Sequence, residues 1–117
     1  MKKILACLAV LFSAVSLNAA AADIAAGKLA AEKNNCFACH GKDYVTPADA
    51  LTPKLAGQHQ DYLAHALTAY KRGAKGANGR GNPIMGGVVQ PLSRKDIQNI
   101  AAYLASLPGP LVLGPGQ

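Results

Sequence analysis

Tryptophan is absent from the sequence, and only two phenylalanines and four tyrosines occur among its 117 residues. Acidic residues are also few, with six Asp and Glu against twelve Lys and Arg, which gives a formal charge of +6. The basic residues are scattered, and few aromatic side chains are available to stack on bases, so nucleic acid is a poor candidate as a partner. A basic surface instead suggests an acidic partner or an anionic membrane face.

Long apolar runs are missing from all but the start of the chain. The one run there, residues 4–17, is too short to span a bilayer comfortably. Two lysines precede it and four alanines, residues 19–22, follow it, which is the order of charge, apolar run and small residues in a secretory signal peptide. We therefore predict a cleaved signal peptide over residues 1–22, a single periplasmic domain over residues 23–117, and no transmembrane segment after cleavage.

Apolar residues recur at helical spacing in three segments of this domain. We predict a first helix over residues 23–34, with Asp23 as its N-cap, and a second helix over residues 58–72. A last helix starts near Ser93, carries the clearest apolar stripe, and is stopped by Pro108. No segment alternates as a strand does, so the predicted fold class is all-α.

Two connecting segments are rich in turn-forming residues. Residues 41–57 contain Pro47 and Pro53 and are predicted to be a loop. Residues 73–91 contain many glycines and show no period. Long irregular segments of this kind commonly carry function.

Cys36, Cys39 and His40 form a C-x-x-C-H pattern, which is the sequence mark of c-type haem attachment. Two cysteines three residues apart on a helical turn share one face, so their sulfurs can form thioethers at the two vinyl positions on one edge of a porphyrin. The adjacent histidine can place a ring nitrogen over the iron. The pattern predicts one haem c, covalently attached through Cys36 and Cys39, with His40 as an iron ligand.

Two other kinds of site use cysteine pairs. A structural disulfide or a thioredoxin-like pair gives His40 no role, and no βαβ pattern surrounds these cysteines. A zinc site could combine the pair with His59 and His65, but the gap from Cys39 to His59 is longer than in a zinc finger. The predicted signal peptide, the short exported domain and the C-x-x-C-H pattern together favour haem attachment.

Met85 is the only methionine of the predicted exported domain, and it lies in the Gly-rich segment before the last helix. A lone methionine is more often core filler than a ligand. A glycine-rich loop is an unusual place for core filler, however, and histidine with methionine is a standard pair of haem ligands. His59 and His65 are the rival ligands, but their spacing of six puts them on different helix faces. We predict His40 and Met85 as the two iron ligands.

Three stretches of sequence carry a resemblance to a known family. They are Cys36-Phe37-Ala38-Cys39-His40, Pro53-Lys54-Leu55-Ala56-Gly57-Gln58, and Leu92-Ser93-Arg94-Lys95-Asp96-Ile97 leading to Ala101-Ala102-Tyr103-Leu104. In these stretches the chain resembles the class I cytochromes c, and among them the small bacterial monohaem group of cytochrome c553 and single domains of cytochrome c4. The likeness covers almost all of residues 23–117.

The resemblance implies a class I cytochrome c fold, with three to five helices wrapped around one covalently bound haem. The Pro53 carbonyl would accept a hydrogen bond from the second ring nitrogen of His40. Gly27 and Tyr103 would lie where the first and last helices cross. Further side chains would line the haem pocket: Leu55, Tyr62, Leu67 and Leu104.

A haem with both axial positions filled has no vacant place for oxygen or substrate, and it can exchange one electron with little rearrangement. We therefore expect a one-electron carrier, not an enzyme, that shuttles electrons between respiratory or other redox complexes. Two alternatives stay open. One is an electron-transfer subunit of a larger dehydrogenase or reductase; the other, with Met85 unbound, is a five-coordinate haem protein that binds gases or reduces peroxide.

Basic residues could surround the exposed haem edge and steer the protein to acidic docking surfaces on redox partners. Those residues are Lys42, Lys54, Lys71, Arg72, Lys75 and Arg80. An ordinary solvated basic surface is the alternative interpretation, because scattered surface charge needs no partner.

Overall fold

Five α-helices follow one another in the computed structural model, which describes residues 21–110. They are α1 (Ile24–Lys33), α2 (Cys36–His40), α3 (Gln60–Arg72), α4 (Pro83–Val89) and α5 (Arg94–Ser106). Residues 21–110 contain no strand, and the predicted all-α class is confirmed. Almost all of the predicted signal peptide, residues 1–20, lies outside the described residues. Within the described range, no helix is both long and apolar enough to cross a membrane.

The ends of α1 and α5 follow from side-chain capping. The Asp23 carboxylate accepts a hydrogen bond from the backbone N–H of Ala26, 3.0 Å away, which satisfies one of the free donors at the helix start. Ser93 and Asp96 form a capping box at the start of α5, in which each side chain accepts from the other residue's backbone N–H. The predicted starts of these two helices are confirmed.

The start of α3 differs slightly from the prediction. The helix begins at Gln60, two residues later than expected. The reason is a turn before it, in which the backbone N–H of Gln58 donates to the Leu55 carbonyl, 3.3 Å away. His59 then has a non-helical backbone, with φ of −57° and ψ of 131°, and is the N-cap. The predicted end is confirmed, with Gly73 as the C-cap.

Helices α1 and α5 cross at Gly27. A Cβ atom built on Gly27 would lie 1.9 Å from the backbone oxygen of Asn99 and 2.9 Å from the Tyr103 Cβ, so only glycine allows this approach. Next to the crossing, the buried Asn99 side chain accepts a hydrogen bond from the Asp23 N–H, 2.8 Å away. The predicted meeting of Gly27 and Tyr103 is confirmed.

The segment 73–91 is not irregular throughout, because it contains α4. The Asn82 side chain accepts from the Met85 N–H at 3.0 Å, and Pro83 occupies the first turn, where its fixed φ suits a helix. Val89 at the other end is fully buried. Met85 therefore lies on a short capped helix, and its predicted position on a loop was wrong.

The core lies between α1, α3 and α5, with residues of the 41–59 connection closing one side. α5 supplies the largest share through Ile97, Ile100 and Leu104, which are almost completely buried. Leu63 and Ala64 of α3 pack into the same cluster. This three-helix base holds α2 and α4, the two short helices that carry the predicted haem residues.

Candidate haem site

The C-x-x-C-H pattern forms the five-residue helix α2, bounded by two left-handed residues. Asn35 precedes it with φ of 53°, and Gly41 ends it with φ of 86°. A Cβ on Gly41 would lie 2.1 Å from the Thr46 carbonyl oxygen, so the chain can turn back here only with glycine. This tight turn presents Cys36 and Cys39 as free thiols, one half-buried and one exposed.

His40 is held in one orientation by the loop that follows it. Its side chain is buried, with 7% of its surface exposed, and its Nδ1 atom lies 2.8 Å from the Pro53 carbonyl oxygen. A carbonyl can only accept, so Nδ1 carries the proton and donates. The lone pair is then on Nε2, which forms no hydrogen bond within residues 21–110. The hydrogen bond implied by the resemblance is present, and it leaves Nε2 in the form that binds a metal.

Partial burial makes the Cys36 thiol harder to ionise. Burial raises the pKa of the Cys36 thiol above its ordinary value, a backbone hydrogen bond opposes this rise in part, and the neighbouring Cys39 adds a smaller rise. Zinc binding and thiol–disulfide exchange both use thiolates. In addition, no three His, Cys, Asp or Glu side chains within residues 21–110 come together as a metal site. The rival zinc ligands His59 and His65 are both exposed.

Met85 lies at the edge of the core with most of the predicted pocket side chains. It is half-buried and packs against the buried cluster, as do Leu55 and Leu67, while Leu104 is 2% exposed within the cluster itself. Cys36 packs against the same cluster. These predicted site residues therefore belong to or pack against one buried cluster: Cys36, Leu55, Leu67, Met85 and Leu104.

Tyr62 stands apart from this group. Half of its side chain is exposed, and it is not part of the apolar cluster. Its hydroxyl accepts a hydrogen bond from Arg80 at 3.4 Å, and the Arg80 guanidinium lies 5.6 Å from the ring centroids of both Tyr62 and Tyr70. Tyr62 and Arg80 also line a cavity of about 420 Å³, to which Cys36, Cys39, His40 and Met85 do not contribute. The structure does not bring Tyr62 to the other predicted pocket residues.

Sequence reasoning missed two features that position Met85. The first is the Asn82 cap, for which a signal exists, because Asn followed by Pro is a common helix start. The second joins Lys71 to Gln90: the Lys71 ammonium donates to the Gln90 carbonyl at 2.9 Å, and the Gln90 side chain donates to the Lys71 carbonyl at 3.2 Å. The two residues are nineteen apart in sequence and carry no local signal.

The residues present fit a covalently bound haem. Two free thiols on one short helix are suited to thioether bonds, and His40 offers an unprotonated Nε2. Met85 adds a soft thioether sulfur at the edge of an apolar cluster that can cover a porphyrin face. This donor set suits haem iron better than zinc, which prefers thiolates and imidazoles.

Known proteins with related sequences support this assignment. Residues 24–108 match the family described as Cytochrome c. Cytochrome c4 of Stutzerimonas stutzeri is 40% identical over 93% of this chain and 52% of that protein. Cytochrome c-554(548) of Halomonas halodenitrificans is 40% identical over 74% of this chain and 98% of that protein.

A solved structure agrees with the fold. The crystal structure of reduced recombinant cytochrome c4 from Pseudomonas stutzeri superposes with a TM-score of 0.65 and 38% identity, covering 76% of this chain and 47% of the other. The chain thus spans about half the length of the cytochromes c4 that it matches. The matched residues 24–108 include all five helices and every predicted site residue. The chain therefore belongs to the cytochrome c family, has the class I fold, and carries a covalently bound haem c on its Cys36-x-x-Cys39-His40 arrangement.

Proposed function

We propose that the protein is a periplasmic one-electron carrier whose haem iron is bound by His40 on one side and Met85 on the other. The observation that carries the proposal is the position of Met85. It is half-buried on a capped helix and packs against the same buried cluster as the predicted pocket side chains Leu55 and Leu67. A thioether held there can close the second axial position, which separates a carrier from a haem protein with a vacant position.

When bound, haem c supplies the one-electron couple of its iron. His40 binds through Nε2 because Nδ1 is held by Pro53, and this hydrogen bond also limits rotation of the ring. Fixed orientation keeps the ligand geometry similar in both oxidation states. Little rearrangement is then needed when an electron enters or leaves.

The apolar side chains around Met85 have a second role. Leu55, Leu67 and Leu104 belong to or pack against the buried cluster, so they would exclude water from a bound haem. A low-dielectric pocket disfavours the more charged ferric form, and a methionine ligand acts in the same direction. Both effects raise the reduction potential relative to an exposed haem with two histidine ligands.

The partner we propose is a redox protein with an acidic docking surface. Four of the basic residues singled out from the sequence have exposed side chains that can meet such a surface: Lys42, Lys54, Arg72 and Lys75. Lys71 is half-buried and bonded to carbonyl groups, and Arg80 is bonded to Tyr62, so these two are less free to do so. Encounters of carriers with their redox partners are small and short-lived.

Visible spectroscopy of the purified protein tests the ligand pair. We expect the oxidised protein to show the weak far-red band of methionine bound to ferric haem, and Met85→Ala to abolish it. Val88→Ala is the matched control, because Val88 is a half-buried apolar residue on the same helix. A wild-type spectrum without the band rejects the proposal and is the result that a five-coordinate haem protein gives. A band that survives Met85→Ala rejects Met85 as the ligand. Stoichiometric co-purification with a larger chain supports the subunit alternative instead.

A further inference from the structure

Three hydrogen bonds join the end of α3 to the segment that follows α4. The Lys71 ammonium donates to the Gln90 carbonyl at 2.9 Å and also to the Leu92 carbonyl. In return, the Gln90 side chain donates to the Lys71 backbone carbonyl at 3.2 Å. Gln90 is the C-cap residue of α4 and Leu92 is buried, so these contacts hold the end of the helix that carries Met85.

The Lys71 ammonium donates hydrogen bonds to backbone carbonyl groups and not to a carboxylate. No carboxylate lies within ion-pair distance of Lys71 in the part of the chain that the structure describes, where the ion pair found is Lys28 with Glu32. The last carbonyls of a helix lack partners within the helix and carry partial negative charge, so an ammonium group at this end is favourable. Hydrogen bonds from a charged donor are also stronger than neutral ones.

Helix α4 needs anchors of this kind. It has only seven residues, and two of them are Gly86 and Gly87, so its own sequence gives it little stability. At its start the Asn82 side chain accepts from the Met85 N–H. At its end Val89 is buried, and the Lys71 contacts follow immediately. Met85 lies between these two anchored ends.

We propose that Lys71 is a positioning residue that keeps the Met85 thioether in place, and that its loss makes Met85 easier to displace by an external ligand. The inference rests on the proposed function, because it takes Met85 to be an iron ligand. Lys71 acts through α4 and does not itself touch the iron. Lys71 therefore affects how readily another ligand replaces the Met85 thioether on the iron.

Imidazole binding to the oxidised holoprotein measures this competition, since imidazole must displace Met85 to reach the iron. We expect Lys71→Met, which keeps the apolar stem and removes the charge, to bind imidazole about tenfold more tightly than wild type. The far-red band should disappear at correspondingly lower imidazole concentrations. Circular dichroism should stay unchanged, which separates the effect from general unfolding.

Three further variants test which feature of the Lys71 contacts matters. Lys95→Met removes an exposed lysine whose side chain forms no hydrogen bond within residues 21–110, and it should change imidazole affinity by less than about twofold. Lys71→Arg retains donors for the same carbonyl groups and should stay within about threefold of wild type. Gln90→Leu removes only the returning hydrogen bond from an exposed side chain and should tighten imidazole binding about threefold.

The outcomes separate the two proposals. If wild type shows the far-red band but Lys71→Met binds imidazole no more tightly than Lys95→Met, the positioning role is rejected and the carrier function stands. If wild type lacks the band, both proposals fall. If Lys71→Met does not accumulate as holoprotein, Lys71→Gln takes its place, because it also removes the charge and keeps a polar side chain. An imidazole affinity within about twofold of wild type in that variant rejects the positioning role.

Discussion

The Nδ1 atom of His40 lies 2.8 Å from the carbonyl oxygen of Pro53, a residue thirteen positions further along the chain. This hydrogen bond fixes the tautomer of a buried imidazole and gives the loop after α2 a defined position. It also connects the proposed iron ligand to the stretch that contains Leu55, one of the predicted pocket side chains. The geometry of the site thus depends on a loop as much as on the helices.

Slow exchange of the His40 ring proton is the first expected consequence. Because Nδ1 is bonded to Pro53 and the side chain is 7% exposed, its N–H should give a sharp signal in proton–nitrogen NMR spectra of the reduced, diamagnetic protein. His59 and His65 are exposed and serve as internal controls, since their ring protons should be broadened by exchange with water. A His40 ring proton that exchanges as fast as those of the other two would contradict the buried hydrogen bond.

Substitution at Gly27 tests the crossing of α1 and α5. Gly27→Ala places a methyl group 1.9 Å from the Asn99 backbone oxygen, which must push the helices apart. We expect the free energy of unfolding, measured with a chemical denaturant, to fall by about 1–3 kcal/mol, although alanine favours helices intrinsically.

Lys28→Ala provides the matched control on the next, exposed position of α1. It loses a surface ion pair with Glu32 and should change stability by less than about 0.5 kcal/mol. Equal stability of Gly27→Ala and wild type would mean that the helices can separate without cost. In that case the close approach would not be what requires glycine.

Local sequence signals predicted much of this architecture. The caps at Asp23 and Ser93 and the turn from Cys36 to His40 depend on neighbouring residues, so the sequence shows them directly. The contact of Gly27 with Tyr103 is long-range and was accessible only through the family resemblance. The same is true of the hydrogen bond from His40 to Pro53.

Helix α4 and the exposure of Tyr62 depend on tertiary contacts, so local sequence signals did not predict them. Helix α4 has no apolar period because Gly86 and Gly87 interrupt it, and burial of Val89 and the anchors at both ends stabilise it. Tyr62 lies at the edge of the apolar stripe of α3. Periodicity cannot decide whether an edge residue is covered, and here Arg80 holds its hydroxyl near the surface.

Titration of Asp43 provides a test of the loop after α2. Its carboxylate accepts hydrogen bonds from the backbone N–H of Thr46, the backbone N–H of Val45 and the Thr46 hydroxyl, and these lower the pKa of Asp43 from 3.8 to about 2. The folded pKa is below the unfolded one, so the stabilisation is fully present above pH 3.8 and is lost as the pH falls towards 2. Carbon NMR of the carboxyl group should show a midpoint near 2 in the folded protein.

Thr46→Val separates the hydroxyl from the backbone donors of this turn. It keeps both N–H groups and removes the third and smallest of the three hydrogen-bond effects, so the pKa of Asp43 should rise only part of the way towards its ordinary value. Asp43→Asn should also make stability less dependent on pH between about 4 and 2. A wild-type midpoint near 3.8 would show that the turn is not formed in solution.

Ionic strength should govern electron transfer if the basic surface guides docking. The chain has twelve basic and six acidic residues, and Lys42, Lys54, Arg72 and Lys75 are exposed. Attraction between exposed charges is screened over about 10 Å at 0.1 M salt and over about 3 Å at 1 M. We therefore expect the rate with a small anionic oxidant to fall several-fold across that range, and the rate with a cationic oxidant to rise.

Substituting Lys42 or Lys75 by Gln identifies the docking side, because only substitution of lysines near the electron-transfer edge should reduce the salt dependence of the rate. Stopped-flow rates that are insensitive to salt with both oxidants would leave the positive charge as an ordinary solvated surface.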